Sequence, residues 1–288
     1  MDQWFGLGVR PDENKMRLEE MLFDRFRRLS KLYLRAVIKG EKCEVNGRIE
    51  NRGRRLLPND FVEITLDPAR QNSMVPEDIP LEIVYEDEDL VVINKPTGML
   101  SHPSHREKTG TVLNALSHHL NRDEAAAYVR PGLIHRLDKD TSGLLVAAKN
   151  TRAHARIGIQ FEKKQVEKRY LALVEGIVAD DEGTIIAPIG RYPDEKLWSV
   201  NPDGKPSESR YRVRQRFADV TLLELEAVTG RTNQLRIHCA DIGHPIVGDT
   251  QRGGRPFSRL CLHSHKIVFR HPTTGVTVRL ERSVEFGY

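Results

Sequence analysis

One carboxylate set among cations marks the first place where this chain could do chemistry. From Gly132 the sequence reads Gly-Leu-Ile-His-Arg-Leu-Asp-Lys-Asp-Thr-Ser-Gly-Leu-Leu-Val, ending at Val146. His135, Arg136 and Asp138 are too charged for a buried strand, and Ile134 and Leu137 are too apolar for a solvated linker. Thr141-Ser142-Gly143 supplies turn chemistry before a strand resumes from Leu144 to Ala148. Loops launched from rigid strands are where catalytic groups concentrate. A structural turn, with Asp138 accepting hydrogen bonds from Thr141 or Ser142, accounts for the same residues.

Two further segments carry candidate side chains. The run from Val166 to Gly176 alternates as a strand, so Lys168, Tyr170, Ala172 and Val174 share a face. A tyrosine between a cation and a small residue can stack on a flat base while its hydroxyl reaches a polar partner, although an unaided strand tyrosine also suits a core. In the run from Val228 to Ala240, Thr232 can cap a helix whose Leu235, Cys239 and Ile242 form an apolar stripe. That phase leaves Asn233 and Arg236 three apart on another face, directing a guanidinium toward a cleft. A solvated surface helix explains the same basic residues.

Other chemistries find little support. His118-His119 and His263 with His265 lack a matching set of carboxylates or thiolates, so hydrogen-bonding histidines are expected and no metal. There is no Walker loop, dinucleotide fingerprint or zincin helix, and the chemistry is expected to need no cofactor. Cys43, Cys239 and Cys261 are odd in number and show no C-x-x-C spacing, which points to a reducing cytoplasm. No apolar run has the length of a membrane span or a secretion signal, so neither membrane nor export is expected. The 288 residues carry 45 basic and 41 acidic side chains for a net charge of +4. Affinity for nucleic acid would therefore come from clustering rather than bulk charge.

The elements that must position these groups fall into three regions. Residues 16–66 open with a helical stripe of Leu18, Leu22 and Phe26, extended by Leu29, and Arg25, Arg27, Arg28, Lys31 and Arg35 crowd the same stretch. Ser30 is placed to cap a second helix toward Lys39, with Gly40 ending it. Val45-Asn46-Gly47 reads as a strand entering a hairpin turn, and Asn59-Asp60 as a turn before a closing strand. Between Met16 and Leu66 there are twelve Lys or Arg against eight Asp or Glu. Trp4 and Phe5 precede this module without an evident role. Residues 67–80, with Pro68, Pro76 and Pro80, read as a linker. Residues 81–288 follow, opening with apolar strands split by the acidic turn from Glu86 to Asp89.

The His135-Arg136-Leu137-Asp138 stretch resembles the signature of RluA-type pseudouridine synthases, which isomerise uridine in structured RNA. The similarity continues through Ile83 to Pro96, the strand of Tyr170, the Thr229 to Ala240 segment, His244 to Asp249, and Leu260 to His265. It implies that Asp138 is the essential catalytic residue and that Arg136 helps displace the target nucleotide, with His135 beside it in the RNA-binding stretch. It also implies that Tyr170 lines the uracil pocket, that Arg236 pairs with Asp138, that Arg231 is a second basic group near RNA, and that Leu262 is the aliphatic residue near the base. Asn233 departs from the histidine usual at its place. Residues 16–66 resemble the small alpha-L RNA-binding motif, which makes Lys31 and Arg35 candidate RNA contacts.

The fold implied is α+β: a catalytic domain of mixed, mainly antiparallel sheet with a small N-terminal α/β RNA-binding domain. The partner implied is structured RNA, ribosomal RNA of the large subunit ahead of transfer RNA, acted on by a monomer. The reaction needs an ionised Asp138 beside the ribose. A guanidinium about 4 Å away would favour the carboxylate by about 4 kcal/mol at an effective dielectric of about 20, before desolvation. Nucleophilic attack at the anomeric carbon and proton removal to a glycal both use this carboxylate. A non-catalytic RNA-binding assembly protein is one rival. A uracil-releasing glycosidase is another; it would need a second carboxyl, for which Asp140 is nearest, although Asp140 is expected to hold the loop.

Overall fold

Leu18, Met21 and Leu22 recur at helical spacing and Leu34, Val37 and Ile38 repeat the pattern, which gives two helices with one buried face each. The computed structural model describes residues 1–70, 75–104, 106–123, 128–192, 195 and 197–288. By compactness the chain divides into two units. The first holds Met1–Ile79, Pro103–Gly132 and Lys149–Arg152, and the second Pro80–His102, Leu133–Ala148 and Ala153–Tyr288. This division differs from a single boundary at 67–80, because residues 103–132 group with the N-terminal part. Residues 71–74 of the expected linker lie outside the described residues.

In the first unit the order is β1 (Gln3–Gly8), α1 (Leu18–Arg25), α2 (Lys31–Lys39), β2 (Cys43–Val45), β3 (Arg48–Ile49), β4 (Phe61–Leu66) and, later, α3 (Val112–His119). The four strands form one sheet in the order β1-β4-β2-β3. Ser30 caps α2 as expected, accepting the Tyr33 N–H at 3.0 Å. Asn46 and Gly47, at φ 52° and 71°, make the two-residue hairpin turn between β2 and β3. The α1 stripe is shorter than expected. Phe26 has already left the helix and packs edge-on against Phe5, with ring centroids 5.1 Å apart. Gly40 keeps an ordinary φ of −81°, and Glu41, at φ 60°, makes the left-handed turn instead. Trp4 and Phe5 find a role in β1, which pairs antiparallel with β4 from Gln3↔Leu66 to Gly8↔Phe61.

The second unit is built on one long sheet. Its strands are β5 (Glu82–Glu86), β6 (Leu90–Lys95), β7 (Gly132–Leu133), β8 (Ser142–Ala148), β9 (Glu167–Glu175) and β10 (Glu182–Ile186). They are followed by β11 (Ile189–Gly190), β12 (Ser199–Val200), β13 (Glu208–Arg216), β14 (Val220–Ala227), β15 (Leu262–Arg270) and β16 (Thr277–Glu281). The helices are α4 (Thr151–Glu162) and α5 (Gln234–Asp241). The main order is β10-β13-β14-β9-β15-β8-β6-β5, with β16 against β15, while β11 and β12 pair separately. Strands β15 and β8 run parallel while β15 with β9 and β6 with β8 run antiparallel, so the sheet is mixed and mainly antiparallel, in an α+β fold. Every residue of β8 is buried, which is why Leu144 to Ala148 is apolar without alternation. Leu144, Val146, Leu90, Val92, Ile267 and Phe269 form a core with Ala153 and Ile157 of α4.

Helix α5 differs from its expected form. Thr232 does not cap it; Asn233, at φ 53°, occupies the cap position with no side-chain cap bond. Gln234 holds the preceding loop instead, its Oε1 accepting Thr229 Oγ1 at 2.7 Å and the Arg231 N–H at 3.0 Å. Residues Gln234 to Cys239 are all buried, so α5 is enclosed on every side rather than amphipathic.

Candidate active site

The segment from Lys95 to Ser101 grips the loop of Asp138 on both sides. Lys95 ends β6 fully buried, and its Nζ donates to the carbonyls of Pro96, Met99 and Lys139 at 2.8, 2.7 and 2.9 Å. Thr97 Oγ1 donates to the Asp140 carbonyl at 2.7 Å. Ser101 Oγ donates to the Leu137 carbonyl at 2.8 Å and accepts the Leu137 N–H at 3.2 Å. The turn itself closes through Thr141 N–H to the Asp138 carbonyl at 3.2 Å, so the backbone of Asp138, rather than its carboxylate, serves the turn. Ser142 Oγ lies 2.7 Å from His263 Nδ1 and accepts from Arg259. The Asp138 carboxylate is thereby left for other work.

Gly143 brings this loop against β15. At φ 112° it takes a conformation that favours glycine, and a Cβ there would stand 2.3 Å from the Ser264 carbonyl oxygen. Strand β15 also pairs with β9, Leu262 opposite Ala172 and Ser264 opposite Tyr170. The result is a cavity of about 720 Å³ lined by Asp138, Tyr170 and Arg236 together with His135, Arg136, Arg231 and Leu262. Lys31 and Arg35 belong to the other unit, on α2. There the Lys31 ammonium lies 5.1 Å from the Phe23 ring centre and Arg35 Nε bonds Glu19 at 2.9 Å.

Burial and charge compete at Asp138. Burial pushes its pKa above the ordinary carboxylate value, opposed by Arg236, Arg136 and Lys95 and assisted by Asp140. The guanidinium field is therefore present as expected, but desolvation outweighs it. Arg236 spends its bonds elsewhere: Nε and Nη2 grip Asp249 at 2.6 and 2.7 Å, and Nη1 reaches Asn233 Oδ1 at 3.4 Å. Arg236 thus acts on Asp138 through space while Asp249 holds it in place.

Tyr170 is buried at 8% exposure, its hydroxyl hydrogen-bonded to Ser264. Burial, then the Asp138 charge, pushes its pKa up to about 12, so it presents a neutral phenol to the cavity. His135 does structural work: its Nε2 accepts the Val146 N–H at 3.2 Å, and its ring stacks on Phe161 at 5.0 Å. Burial, reinforced by Lys168, holds its pKa down at about 3, so its ring is neutral. Arg231 reaches the Pro206 carbonyl at 3.3 Å from the cavity wall, and Leu262 is buried there at 3% exposure. His265 bonds Glu224 at 3.1 Å. Among the described residues no three His, Cys, Asp or Glu gather in a metal-holding group.

Three contributors escaped the sequence reading. Lys95 ends an apolar strand, where a lysine reads as solvated. Asp249 lies in the Ile246-Val-Gly-Asp turn, but nothing in its spacing ties it to Arg236. Gln234 looks like an ordinary first-turn residue. Lys95 and Gln234 answer backbone polar groups and Asp249 answers a guanidinium, demands that are visible only once the chain is folded.

The comparisons with known proteins agree with this geometry. Residues 89–241 match the family model described as RNA pseudouridylate synthase. The chain is 37% identical over 275 residues to an uncharacterised RNA pseudouridine synthase of Bacillus subtilis, covering 94% of this chain and 91% of that one. It is 36% identical over 296 residues to the ribosomal large subunit pseudouridine synthase D of Escherichia coli K12, covering 96% and 90%. Among solved structures, human RNA pseudouridylate synthase domain containing 1 superposes with a TM-score of 0.60 at 28% identity, over 72% of this chain and 85% of that one. No helix among the described residues is long and apolar enough to cross a membrane. A carboxylate beside a buried tyrosine and a fixed arginine, on this sheet and with these relatives, establishes that the chain belongs to the RluA-type RNA pseudouridine synthases, isomerases of uridine in RNA.

Proposed function

We propose that the protein modifies large-subunit ribosomal RNA and that Asp138 carries the reaction. The observation behind the mechanism is the convergence of Asp138, Tyr170 and Arg236 on one cavity, with the Asp138 carboxylate left out of the turn's own bonding. The carboxylate acts at the ribose while the bond from C1′ to uracil N1 breaks, the base turns, C5 bonds to C1′, and the proton then lost from C5 is balanced by one gained at N1. Tyr170 packs against the detached base, and Leu262 closes the wall beside it. Arg136, exposed at the cavity, occupies the space the uridine leaves, offsetting a few kcal/mol of unstacking. Arg231 adds a cation for the backbone, and Lys31 and Arg35 extend the basic surface on α2 within a module of the alpha-L kind.

The ribosomal assignment is supported by relatives of 36% identity named for the ribosomal large subunit, matched along nearly the whole chain. Hydrolysis is disfavoured by the position of Asp140, which lines a neighbouring hollow with Thr97 and Gly98 rather than the Asp138 cavity. Pseudouridines would be mapped in ribosomal and transfer RNA from cells with and without the gene. Loss of one or more sites in large-subunit RNA is expected; loss confined to transfer RNA would replace this substrate assignment.

A further inference from the structure

The turn from Ile246 to Gly254 carries a cation that the site described above does not use. Arg252 ends the short 3-10 turn Thr250–Arg252, and its side chain is only 8% exposed. Its Nε and Nη2 are nevertheless buried with no hydrogen-bond partner among the described residues. Buried donors are almost always paired, so a vacant guanidinium edge calls for a physical reason. Its Nε lies 3.9 Å from Asp249 Oδ2, the oxygen that Arg236 Nε already holds at 2.6 Å. The turn has little slack: a Cβ on Gly254 would stand 2.1 Å from the Ile246 carbonyl oxygen, and one on Gly248 2.1 Å from that of Arg259. Arg252 is therefore fixed beside a carboxylate whose bonds go to another arginine.

We propose that Arg252 is a positioning residue, the reserve partner that takes over Asp249 when Arg236 turns from it toward Asp138 on RNA binding. This rests on the reading that Asp138 is the working carboxylate. Among the described residues the other hydrogen bond of the Arg236 guanidinium is the long one to Asn233. Alone, Arg236 could leave only by stranding the buried Asp249, which is strongly unfavourable. With Arg252 present, one fork replaces another: Asp249 keeps a guanidinium, the vacant edge of Arg252 is satisfied, and Asp138 gains a direct partner. Burial and the neighbouring Arg236 charge push the Arg252 pKa down, while the charges of Asp249 and Asp138 pull it back.

The exchange has a signature in pH. The charged groups acting on Asp138 are Arg236, Arg136, Lys95, Asp140 and Arg252 itself, and Tyr170 beside it stays neutral. Arrival of Arg236 lowers the Asp138 pKa in the bound state alone. Single-turnover rates would be measured on total RNA from cells lacking the gene, both at saturating enzyme, which reports bound enzyme, and in the second-order regime, which reports free enzyme. In the wild type the acid limb at saturation should fall below the second-order limb by about one pH unit. In Arg252→Met the two limbs should coincide and the saturated rate should drop about tenfold, with RNA affinity and melting temperature unchanged. Arg252→Lys, which keeps the charge but not the fork, should restore only part of the rate. Coincident limbs in the wild type, or limbs still separated in Arg252→Met, would overturn the proposal. Should the Met variant not fold, the wild-type limbs decide. Asp138→Asn serves as the control: turnover by that variant would defeat the reading of Asp138 itself, whatever the limbs show.

Discussion

In the proposed mechanism Asp138 works as an anion in surroundings that on balance disfavour one. Burial raises its pKa and three cations only partly answer it. A carboxylate raised in this way keeps its proton to higher pH, so activity in the second-order regime should fall on an acid limb above the ordinary aspartate value of about 3.9. The sign for stability is opposite. A group whose folded pKa is raised gains stability as pH falls through that window, so inactivation there precedes any unfolding due to Asp138. A rate profile with parallel melting curves checks both. Asp138→Asn should abolish pseudouridine formation while RNA binding survives, since Arg136 and Arg231 keep their charge; filter binding beside a turnover assay separates the two. The motifs that carry Asp138 and Tyr170 stand out in the sequence because they are local, and both residues line one cavity. The bond between Arg236 and Asp249 is not legible in the sequence, because it depends on how a helix meets a turn thirteen residues on.

At the scale of elements, the strand β6 and the segment after it matter more than their composition suggests. The hairpin of β5 and β6 was readable from two apolar runs and an acidic turn, as was β8 from its continuous apolar stretch. Helix α5 was misread in its cap and its faces, because enclosure on all sides erases the periodicity that identifies a helix face. The grip of Lys95, Thr97 and Ser101 on residues 137–140 was hidden because side-chain bonds to backbone leave no spacing rule in the sequence. Lys95→Met would leave three carbonyls without their shared donor, and a loss of roughly 2 to 4 kcal/mol is expected. Urea denaturation measures it, and turnover should fall further than RNA affinity because the loop, not the binding surface, slackens.

For the whole molecule, the fold class followed from pattern and resemblance, yet the division into units did not. Residues 103–132 group with the N-terminal unit, where Arg130 donates to the Leu29 carbonyl and the Arg28 guanidinium lies 5.6 Å from the Tyr128 ring centre. Contacts a hundred residues apart carry no local signal. They also make deletion of residues 1–66 a poor test of RNA binding, since partners of the remaining segment would be lost with it. Charge substitution is cleaner. Lys31→Gln with Arg35→Gln should lower the slope of log affinity against log salt by about one to two while the melting temperature holds. An unchanged slope would remove these residues from the RNA surface.

The Lys95 cage has a consequence for how the chain tolerates change. Its ammonium bonds three backbone carbonyls and, among the described residues, no side chain. Every residue type presents the same carbonyl, so the cage cannot tell what stands at 96, 99 or 139 as long as the backbone path is kept. Side chains around the catalytic loop can therefore drift to suit different RNA contours while the anchor stays the same, and the burden of permanence falls on one lysine whose partners are interchangeable.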